Sequence, residues 1–154
     1  MENCVIRFAR MEDYGCADLL MKQAHDLHVL WRPDIYKPTD VVLPYEEFLD
    51  GVGKETLIVA EAYGEVVGLL SFAYRHIGSI KQVSRDIIFI DAMVVDEEFR
   101  GRGIGRQLFE FVKVVAQEKK VDGVELQVNA RNAQARKMYE KYGFMEKSIN
   151  MELV

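Results

Sequence analysis

Apolar and polar positions recur along this chain with periods that predict its elements. Val5-Ile6-Arg7-Phe8-Ala9-Arg10 alternates apolar with basic residues, the pattern of a half-buried strand. From about Tyr14 to Leu30, Ala17, Leu20, Ala24, Leu27 and Leu30 fall at steps of three and four, which predicts a helix with one apolar face. Asp13 stands where an N-cap belongs. Pro33 ends the helix, because a proline disfavours helical geometry at the residue before it. A loop from Arg32 to Leu43 follows. Pro44 then opens a short helix through Phe48 and Leu49, with Gly51 and Gly53 as its stop.

Thr56–Ala62 and Val66–Tyr74 are β-rich runs around the turn Tyr63-Gly64-Glu65, which predicts a hairpin. Gly78-Ser79 marks another turn. Ile87–Val95 is long and apolar, suited to a central strand buried on both faces. Leu108, Phe111, Val112 and Val115 sit at i, i+3, i+4 and i+7, the stripe of a helix. Val124–Val128 reads as a strand. Asn132 can cap a helix carrying Ala135, Met138, Tyr139 and Tyr142, with Gly143 as its C-cap. Phe144–Val154 predicts a final strand. The order β-α-α-β-β-β-α-β-α-β describes an α/β fold, a mixed sheet with helices on its faces.

Composition narrows the setting. A length of 154 residues suits a single domain. A formal charge of −5 without a long basic run argues against a nucleic-acid partner. No apolar run reaches the roughly 20 residues that span a bilayer. Cys4 and Cys16 make neither a C-x-x-C pair nor a disulfide framework. Met1-Glu2-Asn3 lacks the basic start of a signal peptide. A reduced, cytoplasmic protein is the expectation.

Chemistry concentrates at Arg100-Gly101-Arg102-Gly103-Ile104-Gly105, between the long apolar strand and the next helix. The first turn of a helix has unpaired N–H groups, and they and the helix dipole favour an anion there. Glycine lets backbone approach a phosphate closely. Arg100, Arg102 and Arg106 concentrate positive charge in an otherwise acidic chain. Phosphate binding and a plain glycine-rich turn with solvated arginines both fit. A P-loop does not, since G-K-[ST] is absent. The glycine spacing also misses G-x-G-x-x-G, and Glu125 sits too early in its strand to hold a ribose.

These residues resemble the GNAT superfamily of N-acetyltransferases. Its signature [Q/R]-x-x-G-x-[G/A] is met in full by Arg100 to Gly105. An N-x-x-A-x-x-x-Y-x-x-x-G-F stretch is met by Asn132, Ala135, Tyr139, Gly143 and Phe144. The resemblance spans essentially the whole chain and implies a mostly antiparallel sheet flanked by helices. It implies acetyl-CoA as cosubstrate, held by backbone N–H groups from Arg102 to Arg106, through Gly103, Ile104 and Gly105. It implies that the backbone of Met93, Val94 and Val95 receives the pantetheine arm, with oxyanion donors at Val94 or Val95. Asn132 and Ala135 lie on the cofactor side, and Tyr139 lies near the sulfur as general acid. Asp91 resembles the position of a general base, although a paired structural carboxylate fits it too.

An alkyl ammonium of pKa near 10.4 is no nucleophile, so such a site must bind or generate the neutral amine. Direct transfer is expected, without an acyl-cysteine. His28, Trp31 and Tyr36 are candidates to wall the pocket for a small-molecule or peptide amine; His25 belongs to the same face. No metal is expected, because only His76 remains as a further imidazole. By resemblance, Phe144–Val154 pairs between subunits of a homodimer. The rivals are a protein N-terminus or lysine acetyltransferase, a silent CoA-binding domain and a nucleotide-binding protein.

Overall fold

The computed structural model describes residues 3–154; Met1 and Glu2, which belong to the signal-peptide argument, lie outside them. Five strands form one sheet: β1 (Cys4–Phe8), β2 (Leu57–Ala62), β3 (Glu65–Ser79), β4 (Gln82–Val95) and β5 (Gly123–Leu126). Their spatial order equals their chain order. The first three pairings are antiparallel, and β4 with β5 is parallel. A parallel pair needs a crossover connection, supplied here by α3 (Ile104–Glu118). The other helices are α1 (Tyr14–Trp31), α2 (Tyr45–Lys54) and α4 (Ala133–Tyr142).

Strand alternation sorts the core into two layers. Ile58, Leu70, Phe72, Ile88 and Ile90 face α3 and meet Ile104, Leu108, Phe109, Val112 and Val115. Leu57, Val59, Leu69 and Val94 face the other way, against Ala17 and Leu20 of α1 and Phe48 of α2. Each large apolar side chain so enclosed stabilises the fold by about 1.5–3 kcal/mol. The predicted stripe of α3 is correct at Leu108, Val112 and Val115, while Phe109 is buried and Phe111 only half-buried.

Several expectations change. Asp13 sits at the N-cap of α1, but its side chain does not cap it. The carboxylate instead accepts two bonds from Arg7, at 2.7 and 3.0 Å, and one from the Arg10 N–H at 2.7 Å. Gly51 and Gly53 lie inside α2 rather than ending it, and Glu55 in left-handed conformation (φ 55°) closes it. The turn placed at Gly78-Ser79 falls at Ile80-Lys81, because the β3–β4 hairpin runs on past Gly78 on both sides. Leu30 is exposed rather than part of the buried face of α1. Phe144–Val154 is not a strand. Beyond Phe144 it is an exposed tail without regular structure, tied by Glu152 to Arg32 at 2.8 and 2.9 Å, by Glu146 to Arg136 at 3.2 Å and by Lys147 to Glu125 at 2.7 Å. β5 is an edge strand with its outer side unpaired, yet no ladder joins it to the tail, whose period-two pattern stays unused.

Candidate active site

The sheet opens where the glycine turn sits. Parallel pairing of β4 with β5 stops at Ile90↔Leu126, yet β4 continues to Val95. Asp91 is an extra residue at that point, a bulge: Ile90 pairs with Phe72 and Ala92 with Ser71, leaving Asp91 without a partner. From Asp91 to Val95, β4 therefore presents an edge to a gap. The Asp96 N–H donates to the Val67 carbonyl on β3 at 2.8 Å. Antiparallel alternation then turns the Val94 N–H toward β3 as well, and those of Met93 and Val95 toward the gap. Of the two oxyanion donors expected, Val94 is thus directed away, and its side chain is buried on the α1 side.

At the far end of that edge the chain passes through Glu97–Phe99 and enters α3. Gly103 is the N-cap with φ 80°, and Gly101 has φ 76°. An L side chain is strained at such angles, and a Cβ at either position would meet nothing within 4 Å. Both glycines therefore face open space. The helical ladder begins with Gln107 N–H to Gly103 C=O at 3.1 Å, and no side chain caps the helix. The N–H groups of Ile104, Gly105 and Arg106 consequently have no helical acceptor. Ile104 and Gly105 are buried, and a Cβ on Gly105 would stand 3.2 Å from Met138 Sδ and 3.5 Å from Met93 Cε. That contact brings α3, α4 and β4 together at the gap.

The three arginines divide. Arg100 Nε donates to the Val95 carbonyl at 3.1 Å, and Arg102 lies over the Phe99 ring at 5.0 Å. Arg106 is exposed on the first turn of α3. Asn132 caps α4, its Oδ1 accepting from the Ala135 N–H at 3.1 Å. Tyr139 is half-buried among Phe109 and Phe144, with centroids 5.7 and 5.9 Å away. Burial pushes its phenol pKa up. No hydrogen bond to its hydroxyl is formed among the described residues. The neighbouring Tyr142 differs, for its hydroxyl donates to Glu110 Oε1 at 3.0 Å. Burial first, and that acceptor second, push Tyr142 up to about 12.

On the opposite layer, Asp91 is half-exposed beside Arg75, 3.8 Å from its Nη2. Burial raises the Asp91 pKa above the ordinary carboxylate value, and Arg75 opposes this. His28 packs against Trp31 (5.6 Å) and Tyr36 (5.1 Å), so the three aromatic residues singled out from the sequence do cluster. Burial, then His25, lowers the His28 pKa; the ring is neutral at pH 7, with Nδ1 buried and unpartnered among the described residues. Sequence reasoning missed Arg131, whose guanidinium donates to the Trp31 carbonyl and ties α1 to the loop after β5. No spacing rule links positions 100 residues apart. The described residues hold no group of three or more metal-ligating side chains.

Geometry gives an open mixed sheet with an uncapped helix start beside its unpaired edge, and comparison with known proteins supplies the class. The chain belongs to the acetyltransferase (GNAT) family, whose model matches residues 21–144. It is 31% identical over 152 residues to the L-amino acid N-acetyltransferase AaaT of Escherichia coli, covering 94% of this chain and 84% of that protein. An uncharacterized N-acetyltransferase of Methanocaldococcus jannaschii is 31% identical over 105 residues, 68% of this chain; the match spans 46% of that longer protein. Among solved structures, a Bacillus halodurans protein superposes with TM-score 0.94 at 28% identity, covering 97% of this chain and 98% of that one. An aminoglycoside N-acetyltransferase in complex with CoA shares the fold, with TM-score 0.72 at 20% identity over 97% of this chain and 98% of that one.

Proposed function

We propose that this protein moves an acetyl group from acetyl-CoA to a primary amine by direct attack. The observation that carries the reading is the coincidence of two features. The uncapped first turn of α3 begins at left-handed Gly103, and it opens on the same gap as the unpaired edge of β4. The residues fit the cosubstrate: Ile104, Gly105 and Arg106 offer N–H donors to a diphosphate, Arg106 and Arg102 add charge, and Gly101 and Gly103 leave room. Asn132 and Ala135 line the α4 side. When bound, acetyl-CoA supplies an activated acetyl thioester and a thiol leaving group.

The Met93 and Val95 N–H groups face the place where negative charge grows on the acyl oxygen. Fixed donors of this kind commonly supply a factor of roughly 10²–10³. Asp91 accepts a proton from the incoming ammonium, directly or through a water, and a raised pKa makes it a better base. Tyr139 returns a proton to the departing sulfur. Its raised pKa keeps the phenol protonated at neutral pH, as a donor must be. His28, Trp31 and Tyr36 wall the amine side, where the Arg131 contact holds the end of α1 beside the gap. The amino-acid activity named for the Escherichia coli relative makes free amino acids the first members of an amine panel.

Calorimetry with acetyl-CoA, followed by thiol release across amines, tests the reading. Tight binding with turnover supports it; binding without turnover indicates a silent CoA-binding domain. Absence of binding removes both. The reading includes a homodimer, supported by exposed Ile149, Met151 and Leu153 at strand-like alternate positions. A monomeric mass by light scattering would remove that part.

A further inference from the structure

Arg75, Phe89 and Asp91 form a cluster that the account of acetyl transfer leaves incomplete. Phe89 pairs with Ala73 and Ile87 with Arg75, so alternation puts Arg75 and Phe89 on the layer of Leu69, the α1 side. The Arg75 guanidinium carbon lies 3.7 Å from the centre of the Phe89 ring. Stacking fixes the plane of the guanidinium and leaves its N–H donors at the rim. They are not spent on the protein: among the described residues Arg75 makes no hydrogen bond. Its approach to Asp91, at 3.8 Å, is beyond hydrogen-bond length. The Asp91 carboxylate likewise accepts no hydrogen bond among the described residues. Both side chains are about half exposed, 49% and 46%, so the loose pair can open.

A planar donor fork and a carboxylate with free lone pairs thus stand side by side on an aromatic floor. They lie at the bulge where β4 leaves β5. Structural ion pairs elsewhere in this molecule look different. Arg32 with Glu152 and Arg7 with Asp13 each close two bonds of 2.7–3.0 Å. The complement of an unspent fork beside an unspent carboxylate is a zwitterion.

Building on the acetyl-transfer reading, we propose that the acceptor is an α-amino acid with a free carboxylate, and that Arg75, stacked on Phe89, is the residue that binds this carboxylate. The ammonium then rests on Asp91, placed for loss of its proton, and the amine points at the gap. Arg75 sets specificity and takes no part in the bond changes.

The test compares L-leucine with L-leucinamide, and L-phenylalanine with its amide, in the thiol-release assay. The native protein prefers the acids. In Arg75→Met the acid-to-amide ratio of kcat/KM falls by roughly 10- to 100-fold, the scale of a lost charge-assisted bidentate contact. Arg75→Lys recovers part of it. Titration of the CoA-loaded protein with L-leucine supplies a readout that needs no turnover, and the heat is lost in Arg75→Met. An unchanged ratio, a native preference for amides, or equal L-leucine binding by both proteins overturns the proposal. If no amine releases thiol, the acetyl-transfer reading fails; Arg75-dependent L-leucine binding would still support the site, and no binding would end it. An unchanged unfolding midpoint in Arg75→Met confirms that folding is not the variable.

Discussion

Two tyrosines three residues apart on α4 set the proposed general acid against a structural hydroxyl. Among the described residues Tyr139 has no hydrogen-bond partner for its hydroxyl, while Tyr142 donates to Glu110 at 3.0 Å. Removing the Tyr139 hydroxyl leaves no protein group unsatisfied and keeps the ring against Phe109 and Phe144. Tyr139→Phe should therefore change stability by no more than about 0.5 kcal/mol. Removing a general acid costs about 10²–10⁴ in rate, or roughly 2.7–5.4 kcal/mol of barrier. Tyr142→Phe reverses the pattern, losing a hydrogen bond of about 1 kcal/mol and little rate. Thermal unfolding measures one axis, and kcat from thiol release the other. The pH profile adds a sign. A buried phenol, raised above its ordinary value of about 10, must stay protonated to act, so the basic limb of kcat lies above pH ~10 in the native protein. That limb is absent in Tyr139→Phe. An unchanged kcat in Tyr139→Phe, or equal losses in both variants, would refute the assignment.

Other outcomes follow from the same geometry. Gly68→Val would set a side chain 3.1 Å from Ala60 Cβ and 3.3 Å from Ile104 Cγ2, costing about 1–3 kcal/mol and pushing the start of α3 off the sheet. Acetyl-CoA affinity by calorimetry should fall together with the unfolding midpoint. Asp13→Asn leaves Arg7, 16% exposed, with Glu61 at 2.9 Å as its remaining ion-pair partner, for a loss of about 1–3 kcal/mol by chemical denaturation at pH 7. Burial raises the Asp13 pKa, but the Arg7 and Arg10 contacts outweigh it and the net value is lowered. That stabilisation is complete above pH ~4 and fades as pH falls through the lowered value, so the native and Asp13→Asn proteins should converge in acid. Arg32→Ala releases Glu152, so limited proteolysis should cut the tail faster beyond its remaining ties at Glu146 and Lys147, without a large change in the global midpoint.

Much of the fold was legible because burial imposes a period. The 3.6-residue recurrence marks α1 at Ala17 and Leu20 and α3 at Leu108, Val112 and Val115, and local turn chemistry marks Asn132 and Gly143 as the ends of α4. The glycine turn was legible too, since left-handed Gly103 and an uncapped helix start are properties of six consecutive residues. The tail was misread because a β pattern shows that a segment can pair, and the ladder to the free edge of β5 does not form. The cap at Asp13 was misread because Arg7, six residues earlier on β1, and the Arg10 N–H compete for the same carboxylate.

Sequence alone therefore determined most of the elements, the family and the glycine-rich helix start, all of which depend on neighbours within a few residues. Tertiary structure decided the rest. It turned the Met93 and Val95 N–H groups, rather than that of Val94, to the gap. Among the described residues it left the Tyr139 hydroxyl without a partner and gave that of Tyr142 one in Glu110. It stacked Arg75 on Phe89 beside Asp91 through strand register. The physical reason is that a hydrogen bond or a stacked charge depends on where two distant segments meet, and register between strands leaves no local trace.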